Sequence, residues 1–246
     1  SLNSTHMSYK NNAYDSYDKI LCITQNQYDE LKQNKELKNL NYKLYKSNYP
    51  KLNILEKQIT KSKKKQSITI APSWGVDNIF ENKNFEILLA ELVNSGFTII
   101  LRPHSQVSHK TYTFLNKLKN KYNEDSVIIQ SNNSNFHNTF ESNYLITDWS
   151  GIALEYFIVT ENPVIFIDTK KKIHNKNFNE KKDRIPLEVS IRAKIGLIID
   201  PLDFKNINYY IKELSKKDYK KEIREIKEKT LFLGDVTENN FNQILD

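Results

Sequence analysis

The sequence predicts an α/β fold, a Rossmann-like parallel sheet with helices on its faces. Three observations predict it. From Ser67 to Ile199, short apolar runs alternate with stretches whose apolar residues recur at helical spacing. Several of those runs end in a polar turn, as in Thr69-Ile70-Ala71-Pro72-Ser73-Trp74 and Ile99-Ile100-Leu101-Arg102-Pro103-His104. Tyr144-Leu145-Ile146 is a short apolar run that reads as a buried strand, as in a parallel sheet with helices on both faces.

The elements follow in order. Lys19 to Thr24 reads as a strand, Asn26 to Asn34 as a helix, Tyr42 to Tyr45 as a short extended piece, and a helix follows Pro50. Lys61 to Gln66 is nearly all Lys and Ser, too charged for a core, and reads as a solvated linker at a domain boundary. Ser67 to Ser73 is the first apolar β run. Asn84 to Ser95 sets Phe85, Leu88, Leu89, Leu92 and Val93 at helical spacing, and Gly96 stops that helix. Phe97 to Leu101 is a strand, and His109 to Tyr122 a helix with Tyr112, Leu115 and Leu118 on one side. Val127 to Ile129 is a strand, and Phe136 to Ser142 a short helix after the cap-like Ser134-Asn135. Tyr144 to Asp148 and Val164 to Asp168 are the central strands, with a helix between them, and Gly196 to Ile199 is the last strand. Thr169 to Arg184 is long, polar and aperiodic, as functional loops are. Asp203 to Asp246 has a helical pattern rich in Lys and Glu. Its charges read either as a solvated face with ion pairs or as contact with an anionic membrane surface.

Composition narrows the function. The chain has 246 residues and a net charge of +7. Such a charge favours phosphorylated partners, anionic lipid or nucleic acid, but no helix-turn-helix, RNP-like or zinc-finger signature is present, so nucleic acid is not an expected partner. No apolar run reaches the roughly 20 residues a membrane span needs. The single cysteine, Cys22, lies in the apolar run Ile20-Leu21-Cys22-Ile23 and reads as a core residue of a protein from a reducing compartment. No Cys/His cluster has metal spacing, so no metal and no cofactor is expected.

The stretch Thr147-Asp148-Trp149-Ser150-Gly151-Ile152-Ala153-Leu154-Glu155-Tyr156 holds the chemistry. It reads as the end of a strand, a polar turn and a helix start. Free N–H groups and a partial positive charge at a helix start suit a phosphate. Ser150 and successive backbone N–H groups can hold phosphate oxygens, and Gly151 lets the phosphate approach. A plain N-cap serine reads equally well from this turn alone. Asp148 orients Ser150 or caps the helix. Arg102 either binds the same anion or pairs with a carboxylate. His104 either faces the ligand or caps a loop carbonyl. Ser73 and Trp74 end the first strand, and Trp74 either stacks on a base or plugs an interface. His109, His137 and His174 lack comparable support.

Together APSW, LRPHS and TDWSGIALEY…NPVIFIDT resemble the nucleotide-binding half of the CDP-glycerol glycerophosphotransferase family, over Tyr17 to Pro201. These enzymes build teichoic acids and related envelope and capsule polymers. The resemblance implies the C-terminal half of a GT-B fold and a reaction that moves glycerol phosphate, or a related alditol phosphate, from a CDP-linked donor to a lipid-linked or polymeric glycan, with CMP leaving. It implies that His104 contacts the donor diphosphate as the catalytic group and that Glu155 grips the ribose. Ser73, Arg102, Asp148, Ser150 and Gly151 complete the implied donor site. Ser105 stands where the family has Pro, and Gly151 where members often have a second Ser. Ser47-Asn48-Tyr49-Pro50 matches a junction at the end of the family's N-terminal acceptor domain, whose activating His has no counterpart here.

The expected organisation is therefore an expression scar at 1–7, a remnant of the acceptor domain and connector at 8–60, a linker at 61–66, and a donor-binding domain at 67–246. A piece of this extent is expected to be inactive alone. The expected place is the cytoplasm, with peripheral contact at the inner membrane face. Two alternatives stand: a GT-B glycosyltransferase using a UDP- or CMP-sugar, and a non-catalytic nucleotide-binding or assembly module.

Overall fold

The computed structural model describes residues 2–59, 66–75, 77–130, 137–178 and 185–232. In chain order, α1 (Thr5–Ser8), β1 (Lys19–Cys22), α2 (Gln25–Lys38), β2 (Lys43–Lys46) and α3 (Pro50–Gln58) come first. Next are β3 (Ser67–Ile70), α4 (Phe85–Asn94), β4 (Thr98–Leu101), α5 (His109–Lys119) and β5 (Val127–Ile129). Then come α6 (His137–Phe140), β6 (Tyr144–Thr147), α7 (Ile152–Thr160) and β7 (Val164–Ile167). The chain closes with α8 (Leu187–Ser190), α9 (Arg192–Ile195), β8 (Gly196–Ile199), α10 (Ile207–Leu214) and α11 (Lys220–Thr230). Two compact units result. One is Ser1–Ile54 with Lys172–Ile191 and Lys220–Asp246; the other is Leu55–Lys171 with Arg192–Tyr219.

The second unit is the α/β fold the sequence predicts. Its six strands are all parallel, in the order β5-β4-β3-β6-β7-β8. From β3 the chain winds outward to β5, returns to β6 beside β3, and winds the other way to β8. The order therefore reverses between β3 and β6, and the crevice outside their carboxyl ends is where ligands sit in open parallel sheets. Every residue of β3 and β7 is buried, because helices cover both faces. The edge strands are wetter, with Ile128 and Ile198 exposed.

Two glycines set local geometry. Gly96 has φ +83, which ends α4 one residue beyond its cap, Ser95. Gly196 begins β8 opposite Val164, where an added Cβ would lie 1.7 Å from the Val164 carbonyl oxygen. Only a residue without a side chain lets β8 pair at that point.

Helix α7 buries Ala153, Leu154, Glu155, Tyr156, Phe157 and Ile158 in succession, so it is enclosed on nearly every face. Tyr156 Oη donates to the Ser142 carbonyl at 2.7 Å, and Phe157 meets Tyr219 edge-on. This helix is fixed rather than laid on a surface, and so is the turn that feeds it.

The first unit pairs β1 with β2 in parallel over a core of Cys22, Leu31 and Tyr42. Burial pushes the Cys22 thiol up to about 12, so it is a protonated core residue. Helix α11 uses an apolar stripe, burying Ile223, Ile226 and Thr230, and Leu231 bridges to Thr24. Its charges therefore flank a face packed within the unit. The segment set aside as a cloning scar is packed too, with Leu2 and Met7 about 1% exposed. Glu30 accepts from the Thr5 amide at 2.6 Å and from the Ser4 and Thr5 hydroxyls at 2.6 and 2.7 Å. Glu188 of α8 accepts from the Ser4 amide at 2.9 Å and from the Ser8 hydroxyl at 2.8 Å.

Short helices α1, α8 and α9 lie outside the sequence expectation, and α2 runs past Asn34 until Asn39 closes it in a left-handed conformation. Most of the Lys-rich linker, the Ser134-Asn135 cap and the end of the long loop lie outside the described residues. Among the described residues, no helix is long and apolar enough to cross a membrane.

Candidate functional site

The site builds from the two turns at the reversal of strand order. Asp148 follows β6 directly and is 1% exposed. Its Oδ1 accepts two backbone N–H groups, from Ser73 and from Trp149, both at 2.7 Å. Ser73 lies just past β3, so this one carboxylate ties the two turns of neighbouring strands together. The N-cap position of α7 is Gly151, with no side-chain cap bond. The sequence expected Asp148 to serve Ser150 or the helix; the structure gives it a bracing contact across the crevice. Ser73 also offers its carbonyl to Asn78 Nδ2 at 3.1 Å.

Ser150 and Gly151 are half-buried at the entry to α7. Gly151 has φ −63 and ψ −12, an ordinary helical conformation, so backbone strain does not call for glycine there. The absence of a side chain is its contribution to access. The Ala153 amide already donates to the Ser150 carbonyl at 3.2 Å, so the donors this helix start offers at the sheet edge are the N–H groups just before that amide, at Gly151 and Ile152.

Arg102 follows β4, the other neighbour of β3. Its amide continues the ladder to Ile70 at 2.9 Å, and its Nη1 donates to Thr139 Oγ1 at 3.0 Å. Burial pulls the guanidinium below its ordinary pKa, and the nearby Glu155 carboxylate opposes that shift. Glu155 is only 4% exposed, so it is not a helix-surface residue. Of the two expectations for Arg102, the carboxylate neighbour is present, and it is another candidate residue.

His104 lies two residues further on. Its Nδ1 accepts the Gln106 amide at 3.1 Å, which assigns the ring proton of the neutral imidazole to Nε2. Trp74 tilts beside this ring at 6.2 Å between centroids and is 38% exposed. Ser73 and Asp148 are thus in direct contact, Arg102 and Glu155 are charge neighbours, and His104 stands with Trp74. All belong to turns or helix starts beyond the adjacent strands β4, β3 and β6.

The sequence missed Arg192. Its guanidinium lies 3.9 Å from the centre of the Trp149 ring, with Nη2 donating to the Ile167 carbonyl at 3.1 Å and Nη1 to Asp168 at 3.3 Å. Trp149 Nε1 in turn donates to the Thr169 carbonyl at 3.0 Å. Leu187, Ile191 and Ile195 recur at four-residue spacing, a signal that could have placed helices there, but nothing in the pattern marks the arginine. His109 is an exposed first residue of α5, and the His174 amide donates to Met7 in the first unit. The His137 side chain lies outside the described residues. A cavity of about 670 Å³ lies beside α4 and α5, lined by Phe80, Glu86, Lys110 and Phe114 among others; none of the candidate residues lines it. Among the described residues, no group of three or more His, Cys, Asp or Glu could hold a metal ion.

The model of the family described as CDP-Glycerol:Poly(glycerophosphate) glycerophosphotransferase matches residues 40–182, more than half of the chain. No curated protein matches it. Among solved structures, the chain resembles the wall teichoic acid polymerase TagF, soaked with CDPG, with a TM-score of 0.58 at 18% identity. That alignment covers 96% of this chain and 57% of TagF. The S. aureus protein TarM, in complex with UDP, aligns over 99% of this chain and 50% of its own at 16% identity, with a TM-score of 0.49. The likeness to TagF establishes the fold, and this chain spans about 57% of that protein's length.

Proposed function

We propose that this chain, which belongs to the CDP-glycerol:poly(glycerophosphate) glycerophosphotransferase family, binds the CDP-linked donor of a glycerophosphate transfer in teichoic acid synthesis. The observation that carries the reading is the brace at Asp148. It fixes the turn after β3 against the turn after β6, and so presents the start of α7 at the reversal of strand order. A fixed, donor-rich helix start at that place suits a diphosphate.

The acceptor hydroxyl attacks the glycerol-bearing phosphorus. The bond from that phosphorus to the bridging oxygen breaks, and CMP leaves with the electron pair. The acceptor proton passes to a base outside the groups named here. Ser150 and the first N–H groups of α7 hold oxygens of the leaving CMP, Gly151 leaves room for them, and His104 donates from Nε2. Glu155 accepts from the ribose hydroxyls while Arg102 keeps it oriented. Ser73 shapes the opposite wall through its contact with Asp148. Catalysis by such a site rests on positioning and electrostatic stabilisation. The acceptor is a lipid-linked or polymeric glycan, met at the inner membrane face.

Calorimetric titration with CMP, CDP-glycerol, UMP, UDP-sugar and ADP tests the reading. Cytidine nucleotides are expected to bind at least ten-fold more tightly than the others. A preference for UDP-sugars would move the chain to the glycosyltransferases, and no binding to any would leave it an assembly module.

A further inference from the structure

The proposed phosphate turn contains a buried carboxylate, and a carboxylate beside a phosphate is repulsive. Asp148 is 1% exposed, two residues before Ser150. Water cannot screen it well there. Some positive group must offset it if the turn is to accept a diphosphate.

Arg192 meets that requirement from the far side of Trp149, the residue between Asp148 and Ser150. It is 4% exposed, although a charged side chain is costly to bury. Its Nε is buried with no hydrogen-bond partner among the described residues. Its ion-pair partner, Asp168, has a side chain that is 59% exposed, and a pair of that kind contributes little stability. An apolar side chain would fill the slot against Trp149 and Phe166 without an unmet donor. The arginine is therefore poorly explained by stability and better explained by its charge. Burial lowers the pKa of Arg192, while Asp168 and Asp148 oppose that shift, which puts the Asp148 carboxylate within its electrostatic reach.

We propose that Arg192 is a positioning residue for the donor phosphate: it locks Trp149 in place and offsets the charge of Asp148, so that the turn up to Gly151 can hold an anion. The proposal rests on the reading of this turn as the phosphate site. Arg192 touches no substrate and acts through Trp149 and Asp148. The two anchors of Trp149, the Arg192 plane and the Thr169 carbonyl, both come from beyond β6, so the turn is held from the β7 side as well as from β3.

The test compares CMP with cytidine, which lacks the phosphate, by calorimetry on the whole chain. Arg192→Gln is expected to weaken CMP at least ten-fold and cytidine less than two-fold. Arg192→Lys keeps the charge and is expected to restore most of the preference for CMP. In an Asp148→Asn background the charge to be offset is gone, so adding Arg192→Gln should cost CMP less than three-fold. Equal losses for CMP and cytidine, or no loss for either, overturn the proposal, because both assign Arg192 to packing alone. If Arg192→Gln does not fold, the Arg192→Lys result decides: a lysine that weakens both ligands equally overturns it. A wild-type chain that binds cytidine and CMP alike refutes the phosphate site itself, an outcome distinct from any variant result.

Discussion

Asp148, Glu155 and Arg192 are three buried charges, and each is tied to a different neighbour of one turn. Asp148 holds two amides, Glu155 stands beside Arg102, and Arg192 lies against Trp149. Their roles predict different losses. Glu155→Ala removes the ribose acceptor and should weaken CMP binding by about 2 kcal/mol, since hydrogen bonds to charged groups are worth ~1.5–3. Ser150→Ala should cost about 1 kcal/mol, because the backbone donors of α7 remain. His104→Ala should lower turnover of the complete enzyme more than CMP affinity, because its donation matters chiefly as charge develops on CMP. Calorimetry and steady-state kinetics read these separately, and equal small losses for all three would place the donor elsewhere. The TDWSGIALEY motif pointed to Ser150 and Gly151 from residue type and place, and to Glu155 only through the family resemblance. It could not reveal that Asp148 reaches Ser73, because they are 75 positions apart and meet only when β3 and β6 pair.

Elements were legible where packing follows a single period. The run Phe85, Leu88, Leu89, Leu92 gave α4, and all four residues are buried. Helix α7 was found from its boundaries instead, since a helix buried all round shows no amphipathic stripe. The short helices α8 and α9 have four residues each, and the recurrence of Leu187, Ile191 and Ile195 across them does not show that there are two helices rather than one. Nor does sequence spacing reveal that Gly196 is needed by close approach to another strand. Gly196→Ala should destabilise the second unit by about 3 kcal/mol, the upper range for overpacking, because β8 must leave β7 to relieve the clash. Gly96→Ala, with open space but φ +83, should cost about 1 kcal/mol. Urea unfolding measures both. The reverse order would remove the strand-pairing argument.

For the whole molecule, alternation of strand and helix announced the second unit, while before the Lys-rich break the sequence showed β1, α2, β2 and the helix after Pro50, and after Asp203 the helical pattern that holds α11. That α8 and α11 belong to the first unit was not readable, because the chain leaves that unit and returns to it over long separations. One consequence is a pH-dependent contribution. Burial raises the Glu188 pKa, and the Glu30 charge adds to that. A raised folded-state value stabilises fully below the ordinary carboxylate range and less as pH rises through the raised value. Thermal melts should therefore show wild type losing ground to Glu188→Gln as pH rises above about 4.3. Parallel curves from pH 4 to 8 would contradict this.

The donor's phosphates are proposed to sit at the strand-order reversal, between the ends of β3 and β6. Backbone amide NMR during a CMP titration reads this placement residue by residue. The largest shifts are expected on Ser73, Trp149, Ser150, Gly151 and Ile152, with smaller ones at His104. Shifts confined to Phe80, Lys110 and Phe114 around the separate cavity, with the α7 entry unmoved, would contradict it.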